Sequence, residues 1–239
     1  MLIKGILLSR LMRRPVTVLF DVSGVLIDDL LAVWKADSEA YETCGFGEVG
    51  SLEEFKAQFR LPIVEYHRTM GVPDQMMPKL EREYRRAYPK HSRNIRVFPE
   101  VKEALKRLKE KEVVLAVVSN MLSLFLREHL QRFGLEVYFE AVTSQDDCTE
   151  QKPSPQPILI TLEKLGSEPT RSAYVGDMEE DIIAGRMAGV RTVAVCRDES
   201  YHPEWRLRRQ NPDFLIRNLD SLVTIVDELT SSRSNQNYR

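Results

Sequence analysis

The chain has 239 residues, 43% of them hydrophobic and 29% charged, an ordinary balance for a folded protein with its own core. Its 34 basic and 36 acidic residues leave a formal net charge of -2, so no global field draws it to nucleic acid or to a membrane surface. Cys44, Cys148 and Cys196 are too scattered for a disulfide framework or a cysteine-rich metal site, and no apolar run approaches the roughly 18 residues of a bilayer span.

A reducing, cytoplasmic setting is the expectation from that cysteine usage. Residues 1–14 carry a short apolar patch broken by Arg10, Arg13 and Arg14, which lacks the long apolar stretch of a signal peptide. They and the polar tail 231–239 are expected to be disordered extensions.

From residue 15 onward, short β-rich runs alternate with helical patterns, which predicts βα units and a parallel sheet. The clearest strands are 16–20 (VTVLF), 113–119, 172–176 and 191–195, with weaker candidates at 136–144 and 213–216. Their near-continuous apolar character predicts burial on both faces. Helices are predicted at 99–111, with Val101, Ala104, Leu105 and Leu108 on one face, and at 121–134, 154–166 and 179–189. Between residues 30 and 94 no strand is legible, and four helical patterns follow one another (30–45, 51–60, 63–71 and 74–88). The expected fold is therefore an α/β, doubly wound, Rossmann-like core (15–29 and 95–230) carrying an all-helical insertion (30–94).

Four polar clusters fall just past predicted strands, where open α/β sheets bind ligands. Asp21 follows VTVLF in FDVSGVLID, a carboxylate placed to attack an electrophile such as phosphorus. Ser119 and Asn120 end VVLAVVSN, where a hydroxyl and turn amides suit phosphate oxygens. Lys152, in EQKPSP, can neutralise phosphate charge, and Asp177 and Asp181 in GDMEED offer hard oxygen ligands suited to Mg²⁺. Taken singly, each has a plain local explanation: a turn cap, a helix N-cap, a solvated loop lysine, acids in a first helical turn.

The ordered set, hhhhDxxG, then hhSN, then KP, then GDxxxD with DIxAGxxAG, resembles the haloacid dehalogenase-like hydrolase superfamily, and the helical insertion resembles the cap of its phosphoglycolate-phosphatase-like branch. The resemblance implies a Mg²⁺-dependent phosphatase of small phosphorylated molecules, working through an aspartyl-phosphate. Asp21 would be nucleophile and metal ligand, with Asp177 and the Ser23 backbone carbonyl as further ligands. Ser119, Asn120, Lys152 and the Ser23–Gly24 turn would hold the phosphoryl group, and Asp181 would orient Lys152 or the metal's water shell. A monomer or homodimer is expected.

The sequence departs from the family pattern at Ser23, where phosphatases of the family carry a second, proton-transferring Asp. Losing such a group costs roughly 10²–10⁴ in rate. Three outcomes follow: a preference for leaving groups that need little protonation, such as acyl or aryl phosphates; another acid, Asp28, Asp29 or His67, taking over; or a phospho-ligand-binding or regulatory protein of weak turnover. A phosphonate hydrolase would also carry a small residue at position 23, and needs a lysine such as Lys35 or Lys56 over the site. His67, His91, His129 and His202 show no ligand spacing; Trp34, Tyr41 and Phe55 are expected to pack; the basic stretch 81–93 is expected to be a solvated helix face.

Overall fold

A computed structural model describes residues 16–226 and 228. The two terminal extensions, 1–14 and 231–239, lie outside the described residues.

Six strands form one parallel sheet: β1 (Thr17–Phe20), β4 (Val114–Val118), β5 (Ala141–Thr143), β6 (Ser172–Gly176), β7 (Arg191–Val195) and β8 (Phe214–Ile216), in the order β5-β4-β1-β6-β7-β8. Strand order reverses between β1 and β6: the chain first winds outward from β1 through β4 to β5, then crosses back to β6 on β1's other side. Such a switch point opens a crevice at the strands' carboxyl ends.

Both faces of the sheet are covered, because alternate side chains on its central strands are apolar. Val18, Phe20, Leu115, Val117, Val175 and Val193 pack against helices α5 (Val101–Glu110), α6 (Ser123–Arg132) and α10 (Leu219–Ile225). Leu19, Ala116, Val118 and Tyr174 face the other way, onto α7 (Gln156–Leu165) and α8 (Glu179–Met187). Ala194 packs on that side against Leu207 of α9 (Glu204–Arg209). On α5 the residues read as its apolar stripe, Val101, Ala104, Leu105 and Leu108, are all fully buried. Burial of a side chain such as Leu105 or Leu108 contributes roughly 1.5–3 kcal/mol.

The helical insertion comprises α1 (Leu30–Cys44), α2 (Leu52–Gln58), α3 (Ile63–Thr69) and α4 (Met77–His91). It leaves and rejoins the sheet side through a short antiparallel ribbon, β2 (Ile27–Asp28) against β3 (Arg96–Val97), which two-residue strands do not signal in sequence. Tyr41, Phe55 and Tyr66 build an apolar cluster of their own that also takes in Phe59, Met178 and Tyr201. Met178 and Tyr201 come from loops after β6 and β7, so the insertion is seated on the crevice. Trp34, half-buried, donates from Nε1 to the Gly50 carbonyl.

Several boundaries differ from the sequence expectation. The strand read over 136–144 is reduced to β5, because Glu136–Tyr138 coils into a 3₁₀ turn. Helices α9 and α10 carry no pattern long enough to stand out. Helix α4 runs three residues past the expected end, through Pro89.

Candidate active site

The sheet delivers its functional side chains from β1 and the two strands beside it. Asp21 follows β1 directly, its N–H donating to Val175 O on β6 (2.9 Å). Ser119 follows β4, with its N–H donating to Thr143 O (3.0 Å). Asp177 follows β6, and Asp181 sits in the first turn of α8. All four are buried.

Lys152 reaches this cluster from the loop before α7 and is fully buried. Its Nζ lies 3.0 Å from Asp21 Oδ2 and 2.7 Å from Asp181 Oδ1, and it donates to the Tyr174 hydroxyl at 2.9 Å. Tyr174 in turn donates to Val118 O (2.8 Å), so the lysine's third partner is itself fixed by β4. Burial alone would push the Lys152 ammonium down, but Asp181 and Asp21 hold it well above its ordinary range, so it stays charged. Asn120 is committed at both ends of its amide to the backbone of Lys152, accepting from its N–H (3.2 Å) and donating to its carbonyl (3.3 Å). That pair clamps the lysine loop to the end of β4.

Asp21, Asp177 and Asp181 bring one carboxylate oxygen each within 4.8 Å of one another. Asp177 precedes α8, so it is not helical stacking that pairs it with Asp181; the loop turns back, and Asp181 Oδ2 accepts from Met178 N–H (2.9 Å). Asp177 Oδ2 accepts from Tyr201 N–H (2.7 Å), while its Oδ1 is buried without a hydrogen-bond partner. Burial, then the Asp181 charge, pushes the Asp177 carboxyl well above its usual range. A buried oxygen with no donor, among three convergent carboxylates, fits a hard divalent cation. Gly24 belongs to the same construction: its φ is +69° and a Cβ there would lie 2.0 Å from Asp177 Oδ2, so only glycine lets this turn approach.

A second acid group, Glu179, Glu180 and His202, also converges within 4.8 Å. His202 there is structural: Nδ1 accepts from Glu179 N–H (3.0 Å) and Nε2 donates to Phe59 O (3.0 Å), so neither nitrogen is open to a metal.

Ser23 projects beside Asp21 into the same cavity, and its hydroxyl donates to Asp29 Oδ2 at 2.7 Å. Asp29 is fully buried and takes a second donor, the Tyr201 hydroxyl (3.2 Å). Burial pushes its pKa up to about 7, against the lowering effect of the Ser23 hydrogen bond. Of Asp28, Asp29 and His67, the groups that could take the proton-transfer role absent at position 23, Asp29 touches Ser23. Asp28 sits in β2 half-exposed, and His67 lies in the cavity wall, its ring bonded to the Tyr41 hydroxyl (2.9 Å).

A cavity of about 220 Å³ opens over Asp21, Ser23, Ser119 and Asn120 and is roofed by the helical insertion. Tyr174, Tyr201 and the Ser23–Asp29 contact carry no sequence signal: a strand tyrosine, a loop tyrosine and an acid before a helix all read locally as packing or capping. Asp37, on α1, also lines the cavity at 2% exposure, and burial alone lifts its pKa to about 7. Its neutral form is favoured in the folded state, so relative to an always-neutral side chain the protein loses stability as pH rises from about 4 to about 7. Asp37→Asn should therefore be more stable than wild type at pH 8, by at most about 4 kcal/mol, with the gap closing toward pH 4 in denaturant titrations. A gap independent of pH would show that Asp37 is not held neutral.

Fold and site together define a doubly wound α/β protein whose carboxylate–lysine centre lies at the sheet's switch point under a helical roof. Comparison with known proteins places that class. Residues 18–195 match the family described as haloacid dehalogenase-like hydrolase. The chain is 32% identical over 218 residues to the phosphoglycolate phosphatase of Aquifex aeolicus, covering 88% of this chain and 96% of that protein. It is 27% identical over 216 residues to the pyrophosphatase PpaX of Oceanobacillus iheyensis, covering 89% and 97%. In fold it is similar to the crystal structure of a hydrolase from Pseudomonas syringae, with a TM-score of 0.79 at 18% identity, covering 89% of this chain and 98% of that one. The chain belongs to the haloacid dehalogenase-like hydrolase family.

Among the described residues, no helix is long and apolar enough to cross a membrane.

Proposed function

We propose that the chain is a Mg²⁺-dependent phosphatase of small phosphorylated molecules, with residues 15–29 and 95–230 forming the catalytic core and 30–94 its cap. The convergence of Lys152 on both Asp21 and Asp181 carries this reading, because a buried ammonium fixed by two carboxylates has its most economical use beside an anionic substrate. The relatives named phosphoglycolate phosphatase and pyrophosphatase support the same class of chemistry.

In this reading an Asp21 carboxylate oxygen attacks phosphorus, an O–P bond forms, and the bond from phosphorus to the ester oxygen breaks, the leaving group keeping the electron pair. Lys152 offsets the charge that would otherwise keep a carboxylate from a phosphate, and the Ser119 hydroxyl holds a phosphoryl oxygen. Water then cleaves the acyl-phosphate, returning Asp21 and inorganic phosphate. Asp21, Asp177 and the Ser23 carbonyl would hold Mg²⁺, which supplies Lewis-acid neutralisation of the phosphoryl oxygens. Asn120, occupied by the Lys152 backbone, acts here by placing that lysine. The test is hydrolysis of 4-nitrophenyl phosphate with Mg²⁺, expected to stop with EDTA and to return when Mg²⁺ is restored; turnover indifferent to EDTA would remove the metal from the scheme.

Ser23 favours slow or specialised turnover, and a weakly active phospho-ligand-binding or regulatory protein is the second reading, since the Ser23 hydroxyl is spent as a donor to Asp29. A phosphonate hydrolase has less support: neither Lys35 nor Lys56 lines the cavity, and Lys56 donates to Asp198 O. Ser23→Asp should restore a proton donor to the leaving oxygen. We expect it to raise hydrolysis of alkyl phosphates by roughly tenfold or more, and of 4-nitrophenyl phosphate much less, since nitrophenolate leaves without help. An equal change on both substrates would show that position 23 does not govern protonation of the leaving group.

A further inference from the structure

The cavity over Asp21 is walled by apolar side chains, among them Val33, Phe59, Ile63, Met77, Tyr84 and Phe125. No lysine or arginine lines it among the described residues; its carboxyl groups are Asp21 at the floor, with Glu81 and the buried Asp37 beyond. His67, the remaining basic group in the wall, is kept neutral by burial, which lowers its pKa to about 4. Lys152, beneath, is already engaged by two carboxylates and Tyr174. Away from the Asp21 centre, a substrate's second anion would have to be buried against hydrocarbon and carboxyl groups, with no lysine, arginine or charged histidine of the lining to meet it. Phosphoglycolate, with its carboxylate, and pyrophosphate, with its second phosphoryl group, are such substrates.

Asp37 marks the far end. It lies eight residues beyond Asp29 on α1, roughly 12 Å along the helix axis. It is 2% exposed, lines the cavity, and its Oδ2 has no hydrogen-bond partner. Buried polar atoms left unpaired are few in folded proteins, and an unpaired acceptor on a residue of a substrate cavity's wall has a natural partner in a substrate that fills the cavity.

Resting on the phosphatase reading above, we propose that the substrate is a phosphate monoester of an elongated apolar alcohol or phenol, without a second anion, whose far end carries a hydroxyl or ammonium that donates to Asp37. The same apolar wall that excludes a second anion suits an aromatic ring, and a phenolic oxygen leaves with little protonation, in keeping with serine at position 23.

The test compares kcat/KM, with Mg²⁺, for 2-naphthyl phosphate, 6-hydroxy-2-naphthyl phosphate, 2-phosphoglycolate and pyrophosphate. The naphthyl esters should exceed both dianionic competitors by about tenfold or more, and the 6-hydroxyl should add about another tenfold. In Asp37→Leu, of similar size and free of a buried acid, the ratio between the two naphthyl esters should fall to near one. Phosphoglycolate or pyrophosphate turned over as well as the naphthyl esters would overturn the proposal, as would a ratio untouched in Asp37→Leu. If none of the four is hydrolysed, the phosphatase reading fails, and calorimetry decides the cavity separately. 2-Naphthylmethylphosphonate binding about tenfold tighter than phosphonoacetate would support the substrate class, and equal or weaker binding would sink it.

Discussion

Asp21→Asn should abolish phosphate-ester hydrolysis, lowering kcat by at least about 10⁴, while the protein remains folded. An amide oxygen is a poor nucleophile toward phosphorus, so no acyl-phosphate forms. The fold should survive because Asp21 is one of three carboxylates crowded within 4.8 Å, and neutralising it relieves repulsion. Lys152 would keep Asp181 at 2.7 Å and Tyr174 at 2.9 Å, so its charge stays paired. Thermal unfolding near the wild-type temperature, together with lost turnover, separates chemistry from stability. Turnover that persists in Asp21→Asn would remove the proposed nucleophile.

Lys152→Met should have the opposite balance, a large loss of stability as well as of activity. Methionine fills much of the lysine's volume but leaves Asp21, Asp177 and Asp181 buried without a counter-charge. Breaking a buried ion pair in this way costs about 3–5 kcal/mol, which lowers the unfolding temperature by on the order of 10 °C for a chain of this size. The loss should be greatest in EDTA at high pH and shrink as the pH falls, because burial raises the Asp177 and Asp181 carboxyls and they take up protons ahead of an ordinary aspartate. Added Mg²⁺ should recover part of the stability by replacing the missing positive charge, a gain read as a Mg²⁺-dependent rise in unfolding temperature. A Lys152→Met protein as stable as wild type in EDTA would mean that the carboxylates do not need the lysine.

The central strands were legible because their signal is local. The run VLAVV is apolar at every position and SAYVG nearly so, a pattern that fits strands covered on both faces. Helix α5 was equally legible from its apolar stripe, and α6 and α7 from the glycines that follow them, Gly134 and Gly166. The β2–β3 ribbon was not, because two residues hold no periodicity and its pairing joins positions some 70 apart in sequence. Helices α9 and α10, of six and seven residues, gave a stripe too few turns to show.

At the site the division is sharper. That Asp21, Ser119 and Asp177 stand just past strands, with Lys152 in a loop between the second and third of them, in an order shared by a family of hydrolases, is a property of the sequence. So is the serine at 23, visible against that order. What the sequence could not say is who else belongs to the centre. Tyr174 supports Lys152 only because β6 lies beside β1 and two strands from β4; Tyr201 reaches Asp177 and Asp29 only because the loop after β7 folds back over the crevice. Asp37 reads as one more polar helix residue until α1 is laid across the cavity with that face inward. Local chemistry is written in residue type and spacing, whereas burial, pairing and a cavity's charge depend on contacts between distant segments, and those exist only once the chain has folded.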